Sequence, residues 1–399
     1  MSGGPQAELD AVLSDAERAA VALAREWAQV AVAPLAEAWE TERRFAREAF
    51  ASAAEAGLTG LTAPGSDGGR ALGPVALTRV MEEIAAVDLG VAFSLAVHNN
   101  LVGAVARWAG WELRDRYLDD LVAGRRLGAF LLTEPGVGSD AAAIATTARR
   151  EPDGGWVLDG AKAWVSNGAE ASVLSVYATT EAGAGHRAVA AFLIDADTPG
   201  VERVTPYPLI GAHSLGTAEF LFDNCRVSPD ALFVPAGQGF RAAMEGIDLA
   251  RVLVGAMCCG MLDAGLEVAR HYVSGRHAFG QALSGFQAVQ FSLADVATDL
   301  EASRLLTYRA AQLLAAGDGS AAVAAAHAKK FATRAAERGL AACMQVMGAA
   351  GARRHHCLPR HLTGARLTHY LDGATEILDV VISRSLFRRP TAPGPDNRP

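Results

Sequence analysis

Several features that would point to nucleic acid, metal or secretion are missing from this chain. Its 399 residues carry a formal net charge of −8, so it offers no basic surface to a polyanion or an anionic membrane. The five cysteines, Cys225, Cys258, Cys259, Cys343 and Cys357, are odd in number, two of them are adjacent, and none has zinc-type spacing. That usage fits a reducing cytoplasm and no structural metal. No Gly-x-Gly-x-x-Gly follows a strand, which speaks against dinucleotide binding in the Rossmann mode. The opening Met-Ser-Gly-Gly-Pro-Gln has neither a basic n-region nor an apolar h-region, so no secretion signal is expected. Apolar runs such as 321–326 are short and Ala-rich, and His327, Lys329 and Lys330 follow at once, so no membrane span is expected either. There is no internal repeat.

What remains is a long, half-hydrophobic chain (51%), enough for two or three packed layers. Three zones follow one another. Residues 1–126 have helical spacing, with Asp15 as a candidate cap and Val21, Leu23, Trp27 and Val30 among the apolar positions. Further helical stretches fall at 45–56, 74–87, 91–108 and 114–122. Over 127–236 the period shortens to two: runs at 156–158, 173–178, 188–194 and 219–222 are separated by turns such as Asp-Gly-Gly at 153–155. These predict an antiparallel β module, a small barrel or sandwich. Helical spacing returns over 237–388, with long helices at 240–274, 286–316, 320–347 and 375–386 that suggest a four-helix bundle. The Pro-rich, polar end, 389–399, reads as a disordered tail.

Four segments carry chemistry. Residues 130–140 read Phe-Leu-Leu-Thr-Glu-Pro-Gly-Val-Gly-Ser-Asp, a strand running into a glycine loop through which backbone N–H groups can approach a ligand. Residues 160–168 read Gly-Ala-Lys-Ala-Trp-Val-Ser-Asn-Gly. Residues 276–280 read Arg-His-Ala-Phe-Gly, with Gln287 eleven positions after Arg276. Residues 345–351 read Gln-Val-Met-Gly-Ala-Ala-Gly. In this order, over nearly the whole chain, these segments resemble the acyl-CoA dehydrogenase family of flavoproteins.

The resemblance implies the three-part fold just read (N-terminal helices, middle antiparallel β-barrel, C-terminal four-helix bundle) and FAD as cofactor. It assigns Phe130, Leu132, Thr133, Gly138, Ser139, Trp164 and Ser166 to the flavin, with Ser139 shared with substrate. These residue types suit a flavin, which needs flat apolar cover and hydrogen bonds at its ring edge. The resemblance also assigns Arg276, Phe279, Gln287, Gln345, Gly348, Thr375 and Glu376 to the cofactor. A guanidinium grips a diphosphate through two parallel N–H donors. In the family the arginine and glutamine reach the cofactor of a neighbouring subunit, which implies a homo-oligomer, a dimer or a tetramer. Two departures stand out. Ala349 replaces the family's second glycine, and Ala374 stands where a threonine is usual, with Thr375 next in line.

Desaturation of a thioester needs a carboxylate to take the α-proton. One position the family uses for this falls on Ala250, which cannot take a proton. The other falls in the run Tyr-Leu-Asp-Gly-Ala-Thr-Glu-Ile at 370–377, on Asp372, followed by Gly373. Asp372 is therefore the expected base, one methylene shorter than the family's glutamate. An Asp-Gly pair is also a common turn, and Asp372 could instead cap the final helix. Thr363-Gly364 replaces an Arg-Asp pair. Asp248 and Arg251, three apart on one helix face, match residues that line the acyl-thioester path, as does Gly373; they could equally be a surface pair.

Three other signals are set aside. Ser214 in Ala-His-Ser-Leu-Gly (212–216) leads into a strand-like run, where a hydrolase elbow needs a helix. His355-His356-Cys357 has no third ligand set to complete a metal site. His98-Asn99-Asn100, polar in an apolar stretch, either faces the active site or contains a satisfied buried histidine. The expected activity is FAD-dependent α,β-dehydrogenation of an acyl thioester of CoA or a carrier protein, with electrons leaving to an electron-transfer flavoprotein. A flavin oxidase or monooxygenase on the same fold, as in relatives that oxidise nitroalkanes or amino sugars, and a non-catalytic flavin-binding protein are the alternatives.

Overall fold

The computed structural model describes residues 10–387, so the expected tail lies outside the described residues. Helix α1 (Asp15–Trp27) is capped by Ser14 rather than by Asp15. The Ser14 hydroxyl accepts from Glu17 N at 3.3 Å while the Glu17 carboxylate accepts from Ser14 N at 2.8 Å, a reciprocal capping box. Asp15 falls in the first turn, where its charge suits the helix dipole. Helices α2 (Ala36–Glu42), α3 (Arg47–Glu55), α4 (Pro74–Ala85), α5 (Leu89–Trp108) and α6 (Trp111–Val122) complete the first zone. Pro74 opens α4, where its missing N–H costs nothing. Asp88 caps α5 by accepting from Val91 N at 3.0 Å.

The middle zone is one eight-stranded sheet: β1 (Gly128–Leu131), β2 (Thr147–Arg150), β3 (Trp156–Val165), β4 (Val173–Thr179), β5 (Val189–Asp195), β6 (Val201–Arg203), β7 (Ala218–Val227) and β8 (Leu232–Val234). Its order is β6-β7-β3-β2-β4-β5-β8, with β1 also on β4. The sheet is mixed, not purely antiparallel as expected. Both β1 and β2 run parallel to β4, β1 along Val173–Val176 and β2 at Thr179. They lie end to end on one edge of β4, and the chain between them, 132–146, leaves the sheet as a loop.

The third zone holds α7 (Gly239–Gly275), a hairpin of β9 (His277–Ala278) and β10 (Gln281–Ala282), then α8 (Gln287–Ala315), α9 (Ala321–Val346), α10 (Leu358–Thr368) and α11 (Thr375–Leu386). Helix α10 was not anticipated; it starts at Leu358-Pro359, another proline in the first turn. Thr363 and Gly364 lie on it. A side chain at Gly364 would press on Leu89 and Met261, so the small residue brings α10 close to α5 and α7. The central core joins the first and third zones, with Leu77, Val80, Met81 and Ile84 of α4 packed with Leu253, Met257 and Met261 of α7. Both α5 and α7 are long and apolar enough to cross a bilayer by length and composition alone. Most of each is buried against other elements, which accounts for its composition without a membrane.

Candidate active site

The loop 132–146 is built on a buried ion pair. Backbone bonds between Glu134 and Val137 close a tight turn over Pro135-Gly136. The Glu134 carboxylate accepts from Ala145 N at 2.7 Å and Thr146 N at 2.9 Å, and pairs with Lys162 Nζ at 2.7 Å. Lys162 also donates to the Leu132 carbonyl at 3.0 Å. Burial pushes the Lys162 ammonium down to about 8, with Glu134 acting against it. Glu134 lies below the usual carboxylate range: burial raises it, but Lys162 and the hydrogen bonds outweigh that. Thr133 is thereby anchored at the end of β1.

A β-bulge presents Trp164. The β3–β7 register slips between Lys162 and Val165, and Trp164 takes φ +58° inside the slip. Its indole is 55% exposed and stacks on Tyr207, centroids 4.2 Å apart at 19°. Ala163 N donates to the Thr133 carbonyl at 2.9 Å, so the bulge and the loop are tied side by side. Ser166 lies half-buried in the turn that follows. Asn167, buried at φ +65°, donates to the carbonyls of Ser94 and Gly128 at 3.1 and 3.0 Å, fixing that turn to α5 and β1. Gly138 and Ser139 are exposed on the loop.

Asp372 lines a slot that Phe130 of β1 also reaches. This narrow slot is lined by Phe93, Ala96, Val97 and Asn100 of α5, Phe130 of β1, Ile247, Ala250 and Leu253 of α7, and Asp372. Its cavity volume is about 30 Å³, and its lining is mostly apolar, with Asn100 and Asp372 the polar members. Asp372 Oδ2 is buried without a hydrogen-bond partner. It does not cap α11, whose N-cap is Ala374 with no side-chain cap. Asp372 and Gly373 both take positive φ, +50° and +102°. A Cβ on Gly373 would meet Ile377 Cγ2 at 2.8 Å, so only glycine fits there. Arg251 Nε donates to the Asp372 carbonyl at 3.1 Å while its Nη1 pairs with Asp248 at 2.9 Å. Lys329 Nζ donates to the Gly373 carbonyl. Burial raises the Asp372 carboxyl to about 6, against the pull of Lys329 and then Arg251. Burial raises Asp248 as well, opposed by Arg251.

The remaining expected residues do not line the slot. Arg276 and Gln287 are exposed at either end of the β9–β10 hairpin, and Phe279, at φ +51° on its tip, is 96% exposed. Gln345 is exposed near the end of α9, and Gly348 follows it at φ +59°. Ala349 sits in the short 3₁₀ turn Gly348–Ala352 without a left-handed backbone, so the extra methyl is accommodated. Thr375 is buried, and its hydroxyl meets His369 Nδ1 at 3.1 Å rather than opening to a ligand. Glu376 is exposed in the first turn of α11.

The signals set aside stay aside. His98 is a satisfied buried histidine, between the Leu121 carbonyl at 2.9 Å and Gly128 N at 3.1 Å, and burial pushes it down to about 4. Its neighbour Asn100 does reach the slot. Ser214 donates to Asp88 at 2.6 Å in a short 3₁₀ turn. Among the described residues no cluster of three metal-ligating side chains occurs.

An exposed aromatic face, a pinned threonine loop and a carboxylate with one buried, unpartnered oxygen are groups that suit a flat, redox-active ring. The class they point to is a flavoprotein oxidoreductase, and the comparisons with known proteins show that class. The chain matches the N-terminal, middle and C-terminal domain models of acyl-CoA dehydrogenase over residues 14–125, 129–225 and 237–387. It belongs to the acyl-CoA dehydrogenase family, whose cofactor is FAD. It is 34% identical to bovine mitochondrial short-chain specific acyl-CoA dehydrogenase, over 91% of this chain and 88% of that one. The solved butyryl-CoA dehydrogenase of Megasphaera elsdenii matches with a TM-score of 0.90 at 30% identity, covering 94% of this chain and 99% of the other. A glutaryl-CoA dehydrogenase of Mycobacterium smegmatis in complex with FADH2 matches with a TM-score of 0.88 at 25% identity, over 95% and 96% of the two chains.

Sequence reasoning missed Glu134, Lys162, Asn167 and Lys329. Glu134 and Lys162 stood inside two of the motif segments, but their pairing spans 28 residues. The signal available was a lysine flanked by Ala161 and Ala163 within a strand, inside one of the motif segments.

Proposed function

We propose that this chain desaturates a short acyl thioester between Cα and Cβ, with Asp372 as the base. The single observation that carries the reading is the buried, unpartnered Asp372 Oδ2 in an apolar slot whose other family base position is Ala250. A carboxyl held near 6 is largely ionised at neutral pH, yet basic enough to accept an α-proton in the transition state. FAD, when bound, would supply the acceptor for the hydride that leaves Cβ. Thr133, Ser166 and Trp164 are the groups to hold its ring. Arg276, Phe279, Gln287, Gln345 and Gly348 are the groups to hold the rest of it, from a second copy of the chain. The hairpin's 96%-exposed Phe279 supports such an assembly, because a large apolar side chain so exposed gains from being covered.

The slot sets the substrate. About 30 Å³ leaves room for few heavy atoms beyond Cβ, so four-carbon straight or branched acyl groups are favoured over long chains. Phe93, Val97, Ile247 and Leu253 exclude water from the reacting carbons. Arg251, locked to Asp248, keeps the Asp372 backbone fixed as the carboxylate changes charge. Electrons are proposed to leave to a second flavoprotein, with the reaction in the cytoplasm. The test is anaerobic addition of acyl-CoAs of graded length to the yellow holoenzyme. Bleaching by butyryl- or isobutyryl-CoA, with a product two hydrogens lighter, is expected; bleaching by none of the panel overturns the reading.

A further inference from the structure

Lys329 is a costly residue to keep where it is. It lies on α9, in an Ala-rich stretch, with its side chain fully buried. Its hydrogen bond goes to a backbone carbonyl, that of Gly373, and among the described residues it makes no direct ion pair. A buried ammonium without a nearby anion is strongly unfavourable, and an apolar side chain of similar length would fill the same space at less cost. The anion that balances it must therefore be sought close by.

The surroundings leave one candidate. On α7, Arg251 is already answered by Asp248 at 2.9 Å, and Cys258 is a buried thiol that donates to Thr368. His369, ahead of the base loop, stands between Glu337 of α9 and the Thr375 hydroxyl, each at 3.1 Å. Asp372 is left, with a buried oxygen that no donor reaches. Among charged groups, Asp372 is the strongest influence on Lys329, and Lys329 the strongest on Asp372. Burial draws the ammonium down to about 8, so it still carries its charge at neutral pH.

We propose that Lys329 is the counter-ion of Asp372: a positioning residue whose ammonium, tied to the Gly373 carbonyl, keeps the carboxylate ionised and facing the slot. This rests on the reading of Asp372 as the base. Two contributions are joined in one side chain. The hydrogen bond holds the left-handed Asp372-Gly373 turn from below, as Arg251 holds it from the side. The charge offsets the burial that would otherwise leave the acid protonated, and so inert, at neutral pH. Because Lys329 does not line the slot, it does not touch substrate.

The test is an infrared titration of the carboxylic C=O stretch in the holoenzyme, with the Asp372 band identified by its loss in Asp372→Asn. The wild-type midpoint is expected near pH 6. In Lys329→Met it should rise by about one pH unit or more, and Lys329→Arg should return it most of the way. Lys329→Gln, which can keep the hydrogen bond but not the charge, carries the same expected rise and serves if the methionine variant does not fold. Midpoints that coincide in wild type and the uncharged variants overturn the proposal. The acid limb of flavin bleaching by butyryl-CoA should move by the same amount. The infrared midpoint needs no substrate, so a failure of butyryl-CoA to bleach would count against the function and leave the role of Lys329 to be decided by the titration alone.

Discussion

Arg251 Nε donates to the Asp372 carbonyl at 3.1 Å, across 121 residues of sequence, and so ties the middle of α7 to the loop before α11. The contact holds the backbone of a short acid that lines the slot. Asp372 takes φ +50°, a region in which aspartate is among the more tolerant side chains. From this left-handed turn Asp372 lines the slot.

Protonation of Asp372 should govern the rate at low pH. Its carboxyl is raised by burial to about 6, and only the carboxylate can accept a proton. The rate of anaerobic flavin reduction should therefore fall about tenfold per pH unit below that value and level off above it. The same shift has a stability consequence. A carboxyl raised from 3.8 to about 6 in the folded state favours folding below the unfolded value, and that contribution is lost as pH rises through the folded one. The stability of Asp372→Asn relative to wild type should thus increase between pH 4 and pH 7, by up to roughly 3 kcal/mol. Denaturant melts of the two proteins at both pH values check it.

Gly373→Ala should damage both fold and activity. The new Cβ would sit 2.8 Å from Ile377 at φ +102°. A loss of about 1–3 kcal/mol is expected from backbone strain, read by denaturant titration. Displacing the base by about 1 Å should slow flavin reduction roughly a hundredfold.

Breaking the Glu134–Lys162 pair should loosen the flavin loop. Removing one partner of a buried pair leaves the other charge stranded, at a cost of about 3–5 kcal/mol. Lys162→Met is expected to melt earlier and to lose FAD on dilution, measured as the ratio of flavin to protein absorbance. Unchanged FAD retention would separate the pair from cofactor binding.

Phe279→Ser should weaken assembly while leaving the protomer folded. The side chain is 96% exposed on a hairpin tip, so its loss removes no core packing. A smaller particle by light scattering, with unchanged circular dichroism and weaker FAD retention, is the expected outcome.

Much of this was legible in the chain because it is local. The long helices announce themselves by period, and α7, α8 and α9 fall within a residue or two of the expected ranges. Asp372 and Ala250 are legible from their motif positions. The rest depends on contacts between distant segments. The parallel pairing of β1 with β4 is set by which strand lies beside which, and alternation does not encode that. Helix α10 carries Pro359, Thr363 and Gly364, poor helix formers whose place becomes clear once the proline is in a first turn. Lys329 stood out in the sequence only as a charge closing an Ala-rich run; packing of α9 against α7 and the base loop buries it. Thr375 lost its expected freedom to a histidine six residues away.

The central claim, that Asp372 takes the α-proton, is tested most directly by mixing oxygen-free wild type and Asp372→Asn, both loaded with FAD, with butyryl-CoA and following the loss of yellow colour. Asparagine keeps the shape and tolerates the left-handed backbone, so the variant should fold, hold FAD and bind the thioester, yet bleach slower by about 10²–10⁴-fold. Bleaching of the variant at the wild-type rate would contradict the account.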